Sequence, residues 1–259
     1  MINISITDYS ALIAFWLAFT RWAAVLFQLP LFDNLAVPGL VKVLVCVTLT
    51  YVFFPTVAPQ IQMDIAHIGL DRFWILTLFY SMVGLVIGYF VKSIMTLITS
   101  SGNLITQQVG FAALRYFDPG SSQELGPFEK LLSWAMLIMI LTTGALLPMF
   151  KGVYGSFFSI HIYDLGRFAQ SPVFFIEMFK SLFVSSIMLA TPLIFANMFI
   201  MAVMGVVSRM VPQMNIIMVS FVVTIGIGML VFISSSDEYF QVAYKLYVDQ
   251  LGEWFNFIR

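Results

Sequence analysis

Five stretches of this chain run for about the length of a membrane span without one charged residue. They lie between Arg72 and Lys92, Lys92 and Arg115, Lys130 and Lys151, Lys180 and Arg209, and Arg209 and Asp237. A helix needs roughly 20 predominantly apolar residues to cross the hydrocarbon core, so each stretch predicts a span or most of one. Two further apolar segments, Tyr9–Leu29 and Val37–Val57, precede them. The pattern predicts an all-α membrane protein with about six long hydrophobic helices, some broken or over-long. Composition agrees: charged residues make up 10% of the 259, against about 25% in a soluble domain. So few charges cannot cover a water-facing globule of this length.

Net charge is −1, which offers no basic footprint for nucleic acid. Cys46 is the only cysteine and reads as a small hydrophobe. Met1–Thr7 carries no basic residue before the first apolar run, so no cleaved signal peptide is expected.

Proline, glycine and serine punctuate the chain. Leu29-Pro30 ends the first segment, Val37-Pro38-Gly39 opens the second, and Pro55 and Pro59 read as its close. Asp118-Pro119-Gly120-Ser121-Ser122 is the clearest loop, and Val211-Pro212 interrupts the last long apolar region. An unbroken helix over Phe73–Phe117 would reach ~67 Å at 1.5 Å per residue, more than twice the ~30 Å hydrocarbon layer. It must break, with Ser100-Ser101-Gly102 the natural place, or extend past the bilayer. Beyond Ser236, Tyr239, Val242, Leu246 and Leu251 alternate with charged residues, as in an interfacial or partner-bound helix. Six simple spans would put Arg72, Lys151, Arg167, Lys180, Lys245 and Arg259 on one side. Lys42, Arg115, Lys130 and Arg209 would fall on the other, too even a division to orient the protein.

Catalysis finds no support. His67 and His161 lie far apart near loops, and His161 with Asp164 is one pair, not a metal site. No nucleophile elbow, zinc-protease or phosphate-loop motif occurs, so neither enzyme activity nor a cofactor is expected. Arg21 is the anomaly: it sits inside the first apolar segment, where a cation costs roughly 2.5–3.5 kcal/mol on insertion scales. It is expected to face a protein neighbour or an aqueous lumen. Gly84 and Gly88 form a small-xxx-small pair that lets helices approach. Asn103, Gln107 and Gln108 place amides in an apolar stretch and call for partners. The methionine runs 198/201/204 and 210/214/218 read first as core packing, with a deformable partner-facing surface as the alternative. Apart from Glu177, no carboxylate lies inside an apolar run, which weighs against an ion-coupled carrier.

Several landmarks together resemble the FliR family, called SctT in virulence type III secretion systems. They are Arg21 with Gln28-Leu29-Pro30 and Val37-Pro38; Gly84-x-x-x-Gly88 with Ser101-Gly102-Asn103-Leu104-Ile105-x-Gln107-x-x-Gly110 and Phe117-Asp118-Pro119-Gly120; and Thr191-Pro192 with Ser208-Arg209-Met210-Val211-Pro212-Gln213-Met214-Asn215. The chain departs from the family at Tyr80, where a glutamate is frequent, and at Thr143-Gly144-Ala145, where Gly-Gly-His is common.

The resemblance implies a subunit of a helical, multi-subunit export gate in the bacterial inner membrane at the flagellar basal body. It would pass unfolded flagellar proteins and do no chemistry, with energy from associated ATPase and proton-motive components. FliP, FliQ and FlhB homologues would be its partners, together with the unfolded substrates and membrane lipid. Residues 1–172 would resemble FliP, 173–236 a FliQ-like hairpin, and 237–259 form the tail. A loop at 111–127 would plug the channel through Phe111, Tyr116, Phe117, Asp118, Pro119, Gly120, Ser121 and Ser122. Arg21, Gly84, Gly88, Asn103, Gln107, Arg209, Pro212, Gln213 and Asn215 would pack subunits or face the lumen. The alternatives are the virulence homologue and a small-solute secondary transporter.

Overall fold

The computed structural model describes residues 9–29, 38–110, 127–163, 172–211 and 216–258. These form seven α-helices: α1 Tyr9–Leu26, α2 Gly39–Ile68, α3 Phe73–Val109, α4 Pro127–Thr142, α5 Leu147–Ser159, α6 Pro172–Met210 and α7 Ile216–Ile258. No β-strand occurs among the described residues. Five helical stretches are long and apolar enough to cross a membrane, and α4 with α5 forms an apolar pair bent by 71°, a broken span or a re-entrant loop. The fold is that of an all-α membrane protein.

Burial periodicity explains why these segments are helices. In α1 the buried positions are 14, 17, 18, 21, 22, 25 and 26. That is the i, i+3, i+4, i+7 stripe of one helix face. The matching stripe of α2 runs through Cys46, Thr50, Phe54, Val57, Ile61, Asp64 and Ile65. Pro55 and Pro59 were expected to close this helix, yet α2 runs through both to Ile68. Both prolines lie on its exposed side, away from the buried stripe, and membrane helices tolerate such interruptions. The stop is Gly69, whose φ of 90° is a left-handed conformation that glycine adopts without steric cost.

Helix α3 is not broken at Ser100-Ser101-Gly102. It continues for 37 residues, about 55 Å, and ends before Gly110 at φ 88°. The small residues serve packing: a methyl on Gly102 would stand 3.1 Å from Leu132 of α4, and Ser101 Oγ lies 2.7 Å from the Tyr239 hydroxyl of α7. The apolar run from Lys130 to Lys151 is interrupted instead, at residues 143–146, where Gly144 has φ 72°. With 39 and 43 residues, α6 and α7 reach about 58 and 64 Å. Both are over-long for one bilayer.

The chain divides into two compact units. The first comprises Met1–Ile94, Ala145–Ile176 and Asp249–Arg259; the second comprises Met95–Gly144 and Glu177–Val248. In the first unit, Trp22 stacks on Phe53 at 5.2 Å. A second aromatic cluster joins Phe90 to Trp254 at 4.4 Å and Phe174 to Phe257 at 3.9 Å. Such pairs add about 0.5–1.5 kcal/mol each beyond their burial. In the second unit α6 is tied to α3 by Ser186 Oγ donating to the Leu97 carbonyl at 3.1 Å, and by Asn197 Nδ2 donating to Gln108 Oε1 at 2.6 Å.

Helix α7 runs through Ser234-Ser235-Ser236 and on into the tail, unbroken to Ile258. The side of the tail that carries Tyr239, Ala243, Tyr247, Leu251, Trp254 and Ile258 is buried by this chain itself, whereas Val242 faces outward. The methionines also differ from the core reading: Met198, Met201, Met210 and Met218 are all exposed.

One contact gives a direct test. A methyl on Gly152 would fall 1.8 Å from the Phe255 ring, so only a hydrogen fits there. Gly152→Leu is expected to displace the end of α7 and cost about 1–3 kcal/mol of overpacking strain. The measurement is a lower melting temperature of the purified assembly; an unchanged one would mean that Phe255 does not rest on Gly152.

Candidate functional site

The first unit holds a polar cluster inside the apolar helices. It starts from Arg21, which the α1 stripe carries inward with Leu17, Ala18 and Trp22, and which is fully buried. The approach of α3 is set by glycine. A methyl on Gly84 would lie 2.7 Å from the Arg21 carbonyl oxygen and 2.8 Å from Ala24 Cβ; one on Gly88 would lie 2.6 Å from Gln28 Nε2. Gly84 and Gly88 therefore are the close-approach face of α3 on α1. Gln28 locks that face, its Nε2 donating to the carbonyls of Ala24 at 2.9 Å and Leu85 at 3.0 Å.

Arg21 is held by rings and one carbonyl. Its Nη1 donates to the Ser156 carbonyl of α5 at 2.9 Å. The guanidinium carbon stands 4.2 Å from the Tyr80 ring centroid and 4.4 Å from that of Phe157. Nε and Nη2 donate to no described residue. A hydrogen bond to a charged group contributes roughly 1.5–3 kcal/mol, and a desolvated cation–π contact about 2 kcal/mol. Together they offset the insertion cost of about 2.5–3.5 kcal/mol, so this cation is stable without a carboxylate in direct contact.

Tyr80 extends the cluster. Its hydroxyl donates to Asp64 Oδ2 at 2.6 Å, and His161 Nδ1 lies 3.2 Å from Asp64 Oδ1. The other ring nitrogen, Nε2, is 3.2 Å from the Phe158 carbonyl oxygen. Asp64 is fully buried. Four elements thus converge: Arg21 from α1, Asp64 from α2, Tyr80 from α3, and His161 just after α5.

Sequence reasoning missed most of this. It took Pro55 and Pro59 as the end of α2 and so left Asp64 outside any apolar run. Buried carboxylates do occur, as Asp64 and Glu129, whereas Glu177, the one expected inside a run, is exposed. Glu129 sits in the first turn of α4, where the helix dipole favours a negative charge. His161 was read as a loop histidine paired at most with Asp164; its partner is 97 positions away. The available signal was the exposed-side placement of both prolines, which lets the 3.6-residue stripe of α2 run on to Asp64 and Ile65.

Of the remaining candidates, Asn103, Gln107 and Arg209 are described and belong to the second unit. Asn103 and Gln107 are on α3 in the second unit, where Gln107 Nε2 donates to Asn103 Oδ1 at 2.9 Å and Gln107 faces outward. Arg209 is exposed in the last turn of α6. The proposed plug residues Phe111, Tyr116, Phe117, Asp118, Pro119, Gly120, Ser121 and Ser122 lie outside the described residues, as do Pro212, Gln213 and Asn215. Among the described residues, no group of three or more His, Cys, Asp or Glu side chains could hold a metal ion.

Long apolar helices, with the buried Arg21 held by a carbonyl and two aromatic rings of neighbouring helices, define a polytopic membrane protein. The chain belongs to the family of bacterial export proteins, family 1, whose profile matches residues 12–249. It is similar to the flagellar biosynthetic protein FliR of Bacillus subtilis, 22% identical over 242 residues covering 90% of each chain. Likeness to the Aquifex aeolicus FliR is 24% over 234 residues, covering 89% of this chain and 88% of the relative. For the FliR of Pectobacterium carotovorum it is 25% over 223 residues, covering 83% and 81%.

Gly84→Leu is expected to force α3 off α1, because the obstruction is backbone. A loss of about 1–3 kcal/mol or more should appear as depletion of the chain from membranes on an immunoblot. Gly155→Leu is the control, since nothing lies within 4 Å of a methyl there. Equal levels of the two variants would remove the close-approach role from Gly84.

Proposed function

We propose that this chain is a subunit of a flagellar type III protein export gate, and helps to form and plug the channel through which unfolded flagellar proteins leave the cytoplasm. The observation that carries the reading is membership of the bacterial export family across residues 12–249, with relatives named FliR matching over most of their length. Helices of 37, 39 and 43 residues support it, since they exceed one bilayer and suit an assembly that rises above the membrane plane. So do the exposed methionine and phenylalanine side chains of α6, among them Phe183, Met188, Phe195, Met198 and Phe199, which offer a deformable apolar surface to neighbouring subunits.

The partners in this reading are FliP, FliQ and FlhB homologues, in the inner membrane at the flagellar basal body. Residues 1–172 stand in for a FliP-like part and 173–236 for a FliQ-like hairpin, with 237–259 as the tail. The segment 111–127 is the plug. Arg21, Gly84 and Gly88 act in packing the helices, Asn103 and Gln107 face a neighbour or the lumen, and Arg209, Pro212, Gln213 and Asn215 contact the adjoining subunits. The subunit passes polypeptide without making or breaking bonds.

Co-purification of the tagged chain from its own membranes in mild detergent is the test. FliP and FliQ homologues should come with it in a large stable complex; elution alone or as a small homo-oligomer would favour a solute carrier instead. Within the complex, shortening Phe117–Ser122 should make the membrane leaky to ions, and an unchanged leak would remove the plug assignment. Replacing Arg209 or Gln213 should reduce recovery of the partners; wild-type recovery would count against a contact role.

A further inference from the structure

We propose that Asp64 and His161 hold a proton between them, and that this proton latches the segment after α5, Ile160–Tyr163, onto α2. The proposal stands on geometry and is independent of the export reading.

Both ring nitrogens of His161 face oxygen acceptors: Nδ1 the carboxylate of Asp64, and Nε2 the carbonyl of Phe158, each at 3.2 Å. A neutral imidazole has one N–H and one lone pair. With the proton on Nδ1, the Nε2 lone pair is set against the Phe158 carbonyl. With the proton on Nε2, the Nδ1 lone pair is set against the Asp64 carboxylate. Only the imidazolium donates to both. The other Asp64 oxygen accepts from the Tyr80 hydroxyl at 2.6 Å. The geometry therefore describes an Asp64 carboxylate paired with a His161 imidazolium.

The charged and titratable groups around the pair are few. Besides Asp64, α2 contributes His67, which meets Tyr163 at 5.1 Å. From α3 comes Tyr80, and from α1 comes Arg21, separated from Asp64 by the Tyr80 ring it faces. Tyr163 of the latched segment stacks on His161 at 5.2 Å and 6°; α5 supplies the Phe158 carbonyl. Arg21 disfavours a second cation, while Asp64 and the stacked Tyr163 ring favour it. Asp64 is in direct contact and Arg21 is not, so the carboxylate dominates.

The step itself is a single proton transfer. Water gives a proton to the free ring nitrogen; an N–H bond forms as a water O–H bond breaks, and the hydroxide left behind is neutralised by the acid form of the bulk buffer. Access is through His161, whose side chain is 12% exposed while Asp64 is fully buried. Loss of that proton sets a lone pair against an oxygen and releases the segment.

The experiment uses the full chain in its native membrane complex with nitrogen-labelled histidine. The His161 resonances are those lost when the complex is compared with its His161→Gln variant. At about pH 7, where an unpaired imidazole is mostly neutral, both His161 nitrogens should be protonated. In Asp64→Asn a single protonated nitrogen should dominate at the same pH. The latch is read separately from a cysteine at the buried position 160 (Ile160→Cys). Its maleimide labelling should be slow with Asp64 in place and several-fold faster in Asp64→Asn at the same pH. A singly protonated His161 ring in the otherwise wild-type chain at about pH 7 would overturn the proton assignment, and needs no second variant to accumulate. Equal labelling of Ile160→Cys in both backgrounds would overturn the latch.

Discussion

The first unit depends on where a guanidinium can rest inside apolar helices. Arg21 is fully buried, and a cation there must be compensated or the helix would not stay. Two aromatic faces and one carbonyl provide the compensation. For these groups to reach Arg21, α3 has to lie almost against the α1 backbone, which only a residue without a side chain at 84 permits. The buried charge and the glycine are thus one requirement seen from two helices. The same approach carries Tyr80 to Asp64, and through Asp64 to the residue that follows α5.

The pairing of Arg21 with Tyr80 also bears on a departure from the family pattern. Where a glutamate is frequent, this chain has Tyr80. A carboxylate at that place would meet the guanidinium as an ion pair. Tyrosine meets it instead through its ring and passes its hydroxyl on to Asp64. The negative charge that Tyr80 meets is that of Asp64 on α2, whose other oxygen faces His161.

The second unit is built on smaller polar contacts. Ser186, Asn197 and Ser101 each reach across from one long helix to another. In a membrane an unsatisfied amide or hydroxyl is costly, so such contacts set helix register more strongly than their number suggests. Apolar packing between membrane helices has no comparable preference, because lipid is as apolar as a leucine side chain. The exposed apolar surface of α6 is consistent with that: only 22% of its most apolar window is buried within the chain.

Charge-free runs alone determined the helical membrane class, since a continuous apolar run of about 20 residues has the length of a spanning helix and twice that of a barrel strand. Motif order was enough for the resemblance that the family match then bore out. Arg21 was legible as an anomaly, and Gly84 and Gly88 as a packing face, because a buried charge and spaced glycines have one dominant physical use each. What those residues touch was not legible. Ser100-Ser101-Gly102 reads as a break and is a packing surface; Pro55 and Pro59 read as an end and lie within α2. Local signals of that kind are overridden when neighbouring helices supply the missing contacts. The Asp64–His161 pair lies at the far end of this scale, joining positions 97 residues apart. Only tertiary structure could decide it, because a contact between distant helices depends on how those helices cross, and sequence spacing carries no record of the crossing.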